Sequence, residues 1–135
     1  MSKRPPGVLI LDDDDAIRES FVDYFEDRGW NVVSAGTAEA ALKLVAALHP
    51  EGAVVDIRLP GMNGNAFMRA ASRTHPRMAF VICTGSPQYA PPLDVGSSPQ
   101  VAGHVYAKPV HDLAKLEETL RRQIKICQER TSSDE

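Results

Sequence analysis

The chain has 135 residues, 43% of them hydrophobic and 24% charged, with 9 glycines and 10 prolines. This length suits one domain of roughly 100–200 residues, and the apolar content offsets the entropy of ordering, which excludes a disordered, collagen-like or low-complexity chain. The formal charge of −3 lacks the basic excess of a direct nucleic-acid or anionic-membrane binder.

Met1 to Pro6 reads as an N-terminal arm, charged but followed by only four apolar residues, too few for a signal peptide. Those four, Val8-Leu9-Ile10-Leu11, form the continuous apolar run of a strand buried on both faces. A helix over 14–28 follows, with Ile17, Phe21, Tyr24 and Phe25 at helical spacing and Gly29 placed to stop it. Asp14 and Asp15 serve as its cap and first-turn acids. Trp30 to Ser34 is a second strand. Thr37 caps a helix to Leu48, with Ala41, Leu42, Val45 and Leu48 on one stripe, and Pro50 prevents continuation. Ala53-Val54-Val55 is a third strand, ending at Asp56. A turn through Pro60-Gly61 and Gly64 leads to a short helix over 66–72. Phe80-Val81-Ile82-Cys83 is a fourth strand, ending at Thr84, and His104 to Ala107 a fifth, ending at Lys108. Asp112 caps a last helix that turns Leu113, Leu116, Leu120, Ile124 and Cys127 inward. Between Thr84 and Lys108 lie Pro87, Pro91, Pro92 and Pro99, each costing about 3 kcal/mol inside a helix, so a loop with at most one helical turn is expected there.

Alternating strands and helices imply βαβ units with right-handed crossovers. The expected fold is a three-layer α/β/α sandwich on a five-stranded parallel sheet, flavodoxin-like with strand order 2-1-3-4-5, over residues 7–128, and a flexible tail over 129–135. No stretch approaches the ~18 apolar residues of a membrane span. Cys83 and Cys127 are too few for a disulfide framework or a four-ligand zinc site and read as buried or half-buried thiols in a reducing compartment, so a cytoplasmic location is expected.

Such folds bind ligands at the carboxyl ends of their strands. The residues just past strands one, three, four and five are Asp12-Asp13, Asp56, Thr84 and Lys108. One like-charge pair at ~4 Å and an effective dielectric of 20 costs about 4 kcal/mol, so clustered carboxylates need a proton, Lys108 or a cation. Oxygen ligands of this kind suit Mg2+, with Mn2+ as a substitute. A lone aspartate beside a cation, a lysine and a hydroxyl is equipped to accept a phosphoryl group, as the nucleophile Asp56 would here.

Leu9 to Asp14 with Arg18, Val54 to Gly64, Val81 to Gly85 and Tyr106 to Pro109 together resemble the receiver domain of two-component response regulators, in order and over about residues 7–128. The resemblance implies that Asp56 is the phosphorylated aspartate. Asp12, Asp13, Asp56 and the main-chain carbonyl of Arg58 would hold Mg2+, Thr84 and Lys108 would contact the phosphoryl group, and the Lys108-Pro109 bond would be cis. The implied donor is a histidine kinase or histidine phosphotransfer protein, with an unknown downstream protein as output partner and a monomer or weak dimer as the assembly. Arg58 and Ser86, each two residues past a site residue, are expected to tune the lifetime of the phosphorylated state. Val105 stands where the family commonly has an aromatic residue, and strand alternation turns Tyr106 to the other face unless a bulge intervenes.

Two other functions share these residues. One is a receiver-like interaction module that works without phosphorylation. The other is a haloacid-dehalogenase-type phosphatase using Asp12, against which stand Ala16 at a position that motif gives to Thr or Val and an idle Asp56. His49, His75, His104 and His111 have no metal-ligand spacing and read as loop residues. Glu117 and Glu118, ahead of Arg121, Arg122 and Lys125, read as a solvated helix face.

Overall fold

The computed structural model describes residues 5–133; positions 1–4 of the expected arm and 134–135 of the expected tail lie outside them. Its elements in order are β1 (Gly7–Leu11), α1 (Asp15–Asp27), β2 (Asn31–Ala35), α2 (Ala38–Leu48), β3 (Gly52–Val55), α3 (Gly64–Thr74), β4 (Ala79–Thr84), α4 (Leu93–Gly96), β5 (Tyr106–Ala107) and α5 (Leu113–Ser133). The strands form one parallel sheet in the order β2-β1-β3-β4-β5.

β1, β3 and β4 are buried almost throughout because helices cover both faces. On one face Ala41 and Val45 of α2 and Phe67, Met68 and Ala71 of α3 pack on Leu9, Leu11, Val55, Phe80 and Ile82. On the other, Phe21 and Phe25 of α1 and Leu116, Leu120 and Ile124 of α5 pack on Val8, Ile10, Val54 and Val81. Helix starts follow the expected chemistry. Asp14 Oδ1 accepts from Ile17 N at 3.0 Å, Thr37 Oγ1 from Ala40 N at 3.2 Å and Asp112 Oδ1 from Lys115 N at 3.0 Å. Gly29, at φ 89°, supplies the left-handed residue that ends α1.

Several sequence expectations need correction. β5 holds two residues, not four. Phe80 bridges to Val101 and Cys83 pairs with Tyr106, so three steps along β4 face five along the edge chain, and His104 and Val105 fall outside the pairing. The surplus is even, so alternation survives: Val101 and Val105 pack on the α2–α3 face, Ala102 and Tyr106 on the α1–α5 face. Leu48 is 56% exposed, whereas Ala38, Ala41 and Val45 form the buried stripe of α2. α3 starts two residues earlier than expected, capped by Asn63, and ends two later. α5 continues to Ser133 past the boundary expected at Gln128, with no glycine or proline to stop it.

Glu117 is 2% exposed, so the solvated face begins at Glu118. Its carboxylate accepts from Tyr24 Oη (2.9 Å), Arg28 Nε (3.1 Å), Trp30 Nε1 (2.9 Å) and Arg121 Nη2 (3.2 Å), tying α5 to α1 and the start of β2. The prolines between Thr84 and Lys108 do restrict α4 to four residues; Arg69 of α3 holds it by a fork to Asp94 at 2.7 and 3.1 Å.

Candidate functional site

Parallel strands deliver their last residues to one edge, and there the sequence-predicted groups meet. Asp12 and Asp56 follow β1 and β3; each backbone N–H is taken by the neighbouring strand, Asp12 N donating to Ala35 O at 3.1 Å and Asp56 N to Leu11 O at 2.9 Å. Both are buried, at 3% and 4% exposure, and so is Thr84, the last residue of β4. Lys108 reaches back from the end of β5: its Nζ lies 2.8 Å from Asp12 Oδ2 and 3.1 Å from Asp56 Oδ2. The Lys108–Pro109 peptide is cis, and Lys108 N donates to Thr84 O at 2.9 Å. Asp13 is exposed at the rim.

The charge balance of this pocket is unfavourable without a further cation. Burial, followed by the charge of Asp12, raises the Asp56 carboxyl from its ordinary 3.8 to about 6, against the opposing pull of Lys108. For Lys108, burial works to lower the ammonium's pKa, but its hydrogen bonds and charge interactions with Asp12 and Asp56 outweigh that and raise it. One ammonium thus serves two buried carboxylates beside a third at the rim. One carboxylate oxygen each from Asp12, Asp13 and Asp56 lies within 4.8 Å of the others. Hard oxygen donors in that number, open to water on the Asp13 side, fit Mg2+.

The flanking residues take distinct positions. Arg58 is exposed and lines an open hollow over the β3–α3 loop with Asp13, Pro60 and Asn63. Ser86 is half-buried; its N–H donates to Thr84 Oγ1 at 3.1 Å. A Cβ on Gly64 would overlap the Asp56 carbonyl oxygen, so only glycine lets α3 start this close to the end of β3. Cys83, one residue before Thr84, is an inert neighbour, its thiol pushed up to about 12 by burial.

The family model for the response regulator receiver domain matches residues 8–119. The chain belongs to that family. It is 32% identical over 107 residues to transcriptional regulatory protein FixJ of Azorhizobium caulinodans, a match covering 79% of this chain and 50% of the regulator. It is 32% identical over 80 residues to sensor kinase CckA of Brucella abortus, covering 58% of this chain and 8% of the kinase. A CheY-like receiver domain from Methanospirillum hungatei superimposes with a TM-score of 0.73 at 30% identity, covering 90% of this chain and 98% of that one. The chain therefore spans half or less of the length of these two curated relatives. Among the described residues, no helix is long and apolar enough to cross a membrane.

Three supports of the receiver pocket carry no clear signal in the sequence. Arg18 appears there only as part of the family resemblance; in the structure its Nη1 donates to the main-chain oxygen of Asp12 at 2.8 Å and its Nη2 to Asp15 at 2.6 Å, bracing the acidic turn. Glu39 accepts from Met62 N at 3.4 Å across the β3–α3 loop. Tyr89, in the proline-rich segment, donates its hydroxyl to Asn65 Oδ1 at 2.7 Å, and its N–H reaches Ser86 O at 3.3 Å. It packs on the same core face as Val105. A tyrosine among prolines, 24 residues from its partner, offers no periodicity from which this contact follows.

Proposed function

We propose that this receiver domain accepts a phosphoryl group on Asp56 from a phosphohistidine of a kinase or phosphotransfer protein. A carboxylate oxygen of Asp56 attacks phosphorus, the phosphorus–nitrogen bond breaks, and the imidazole leaves with the bonding electrons. Lys108 turns its ammonium from the Asp12–Asp56 pair toward the oxygens of the arriving group, and the Thr84 hydroxyl donates to one of them. Asp12, Asp13, Asp56 and the Arg58 carbonyl would hold Mg2+, which when bound offsets the negative charge gathered in the pocket. The domain assists its own phosphorylation and dephosphorylation and turns over no separate metabolite. Arg58 covers the site from the β3–α3 loop, while the small Ser86 leaves water access on the opposite side.

The observation that carries this reading is the single ammonium held within 3.1 Å of two buried carboxylates at the edge where Thr84 also ends. Incubation with a small acyl-phosphate donor and Mg2+ is expected to add one phosphate by intact mass, mapped to Asp56 and lost in Asp56→Asn. Phosphate on Asp12 would instead support the phosphatase. No adduct at all would favour a phosphorylation-independent module, a reading to which the four-residue α4 lends its only structural support.

A further inference from the structure

Two successive βαβ units end their helices in the same dipeptide. α2 stops at Leu48 and continues as His49-Pro50; α3 stops at Thr74 and continues as His75-Pro76. Each proline bars further helix. Both helices lie on one face of the sheet and lead into adjacent strands, whose first residues Gly52 and Ala79 are paired. The two histidines therefore meet at the end of the sheet opposite Asp56. His49 Nδ1 lies 3.0 Å from His75 Nε2, with ring centroids 5.1 Å apart.

Both ends of the pair are fixed by the backbone around them. His49 sits at φ 50°, in the left-handed region that few residues other than glycine adopt. The carbonyl of His75 accepts from Gln100 Nε2 at 3.0 Å, and Gln100 also donates to Met78 O at 2.8 Å. Thr74 Oγ1 stands 2.8 Å from His75 Nδ1. With the Nδ1–H of His75 donating to that hydroxyl, Nε2 keeps its lone pair and points at His49.

Two imidazole nitrogens this close share one proton in a hydrogen bond, and a cation can displace it by sitting beside the nitrogen–nitrogen line, each ring turning its lone pair toward the ion. Zinc–nitrogen bonds of about 2.0–2.1 Å set two ligand nitrogens about 3.4 Å apart at a tetrahedral angle and about 2.9 Å apart at a right angle. The observed 3.0 Å lies inside that span. The Thr74 hydroxyl is the outer partner that orients a ligating histidine. The rings face an open cleft lined also by Glu51, Arg77 and Gln128, with room for water to complete a coordination shell.

We propose that His49 and His75 form a second metal site, for imidazole-preferring divalent transition cations of the Zn2+ class, which clamps the C-terminal ends of α2 and α3 together. Binding moves the Nδ1 proton of His49 to its own Nε2, so no proton leaves the pair. The two ends of the sheet then select different ions, oxygen donors taking Mg2+ and nitrogen donors a transition metal.

The test is calorimetric titration of the full chain with Zn2+ in saturating Mg2+, which keeps the acidic pocket filled. One equivalent is expected to bind, and His49→Gln or His75→Gln to weaken it about tenfold or more. In wild-type protein labelled at histidine nitrogens, Zn2+ is expected to shift His49 Nδ1 and His75 Nε2. The proposal is overturned if no Zn2+ binds, if either variant binds like wild type, or if the shifted nitrogens belong to His104 or His111. The wild-type spectra decide the matter even where a variant folds poorly.

Discussion

Replacing Asp56 with asparagine probes the electrostatics of the pocket directly. The folded carboxyl titrates at about 6, raised by burial first and then by Asp12, against about 3.9 in the unfolded chain. Between those values the folded protein keeps a proton that the unfolded chain has released, so stability falls as pH rises from about 4 to about 6 and stays lowered above. Two pKa units at about 1.4 kcal/mol each would amount to about 3 kcal/mol. The pocket opens to water at Asp13, and screening there reduces the expected effect to about 1–2 kcal/mol. Asparagine preserves the shape without the charge, and Lys108 keeps Asp12 as its partner at 2.8 Å. Metal-free Asp56→Asn is therefore expected to exceed wild type in stability by that amount at neutral pH, with the difference vanishing below about pH 4. Urea unfolding in chelator, followed through the single tryptophan, Trp30, measures it at each pH. Added Mg2+ should narrow the gap by binding folded wild type. Equal midpoints at neutral pH, or a difference that does not change with pH, would refute the reasoning.

Arg58→Ala is expected to shorten the half-life of the phosphorylated domain several-fold, by opening the β3–α3 side of the site to water; equal dephosphorylation half-lives would dispose of the covering role. Glu117→Ala is expected to cost about 1–3 kcal/mol, because it strands the buried Trp30 N–H, while the half-exposed Arg28 and Arg121 turn to water. Burial tends to raise the Glu117 carboxyl, but its hydrogen bonds from Trp30, Tyr24 and Arg121 and the charge of Arg28 outweigh burial and lower it. Its contribution is thus present above the ordinary glutamate pKa and lost as pH falls through the lowered one. A variant with wild-type urea midpoints at neutral pH would show the network to be dispensable.

Much of this molecule was legible in one dimension because the signals are local. Apolar runs marked β1, β3 and β4, Asp14, Thr37 and Asp112 marked helix starts, and prolines marked where α4 could not extend. The pocket followed from the same reading, since parallel strands must bring Asp12, Asp56, Thr84 and Lys108 to one edge. Where the reading went astray, a distant partner outweighed the local pattern. Glu117 looks solvated beside Glu118 and is buried because Tyr24 arrives from α1 and Arg28 and Trp30 from the turn between α1 and β2. His104 and Val105 continue an apolar run but leave the sheet because the edge chain carries two residues more than β4 can pair.

Residue order alone determined the succession of elements and the donor types at the strand ends, since both depend on neighbours along the chain. Only the tertiary structure decided which side chains share an ammonium, which acid is buried, and that two histidines 26 residues apart touch. Those outcomes depend on crossovers that fold separate segments against each other, and the contact distances exist only once the sheet has assembled.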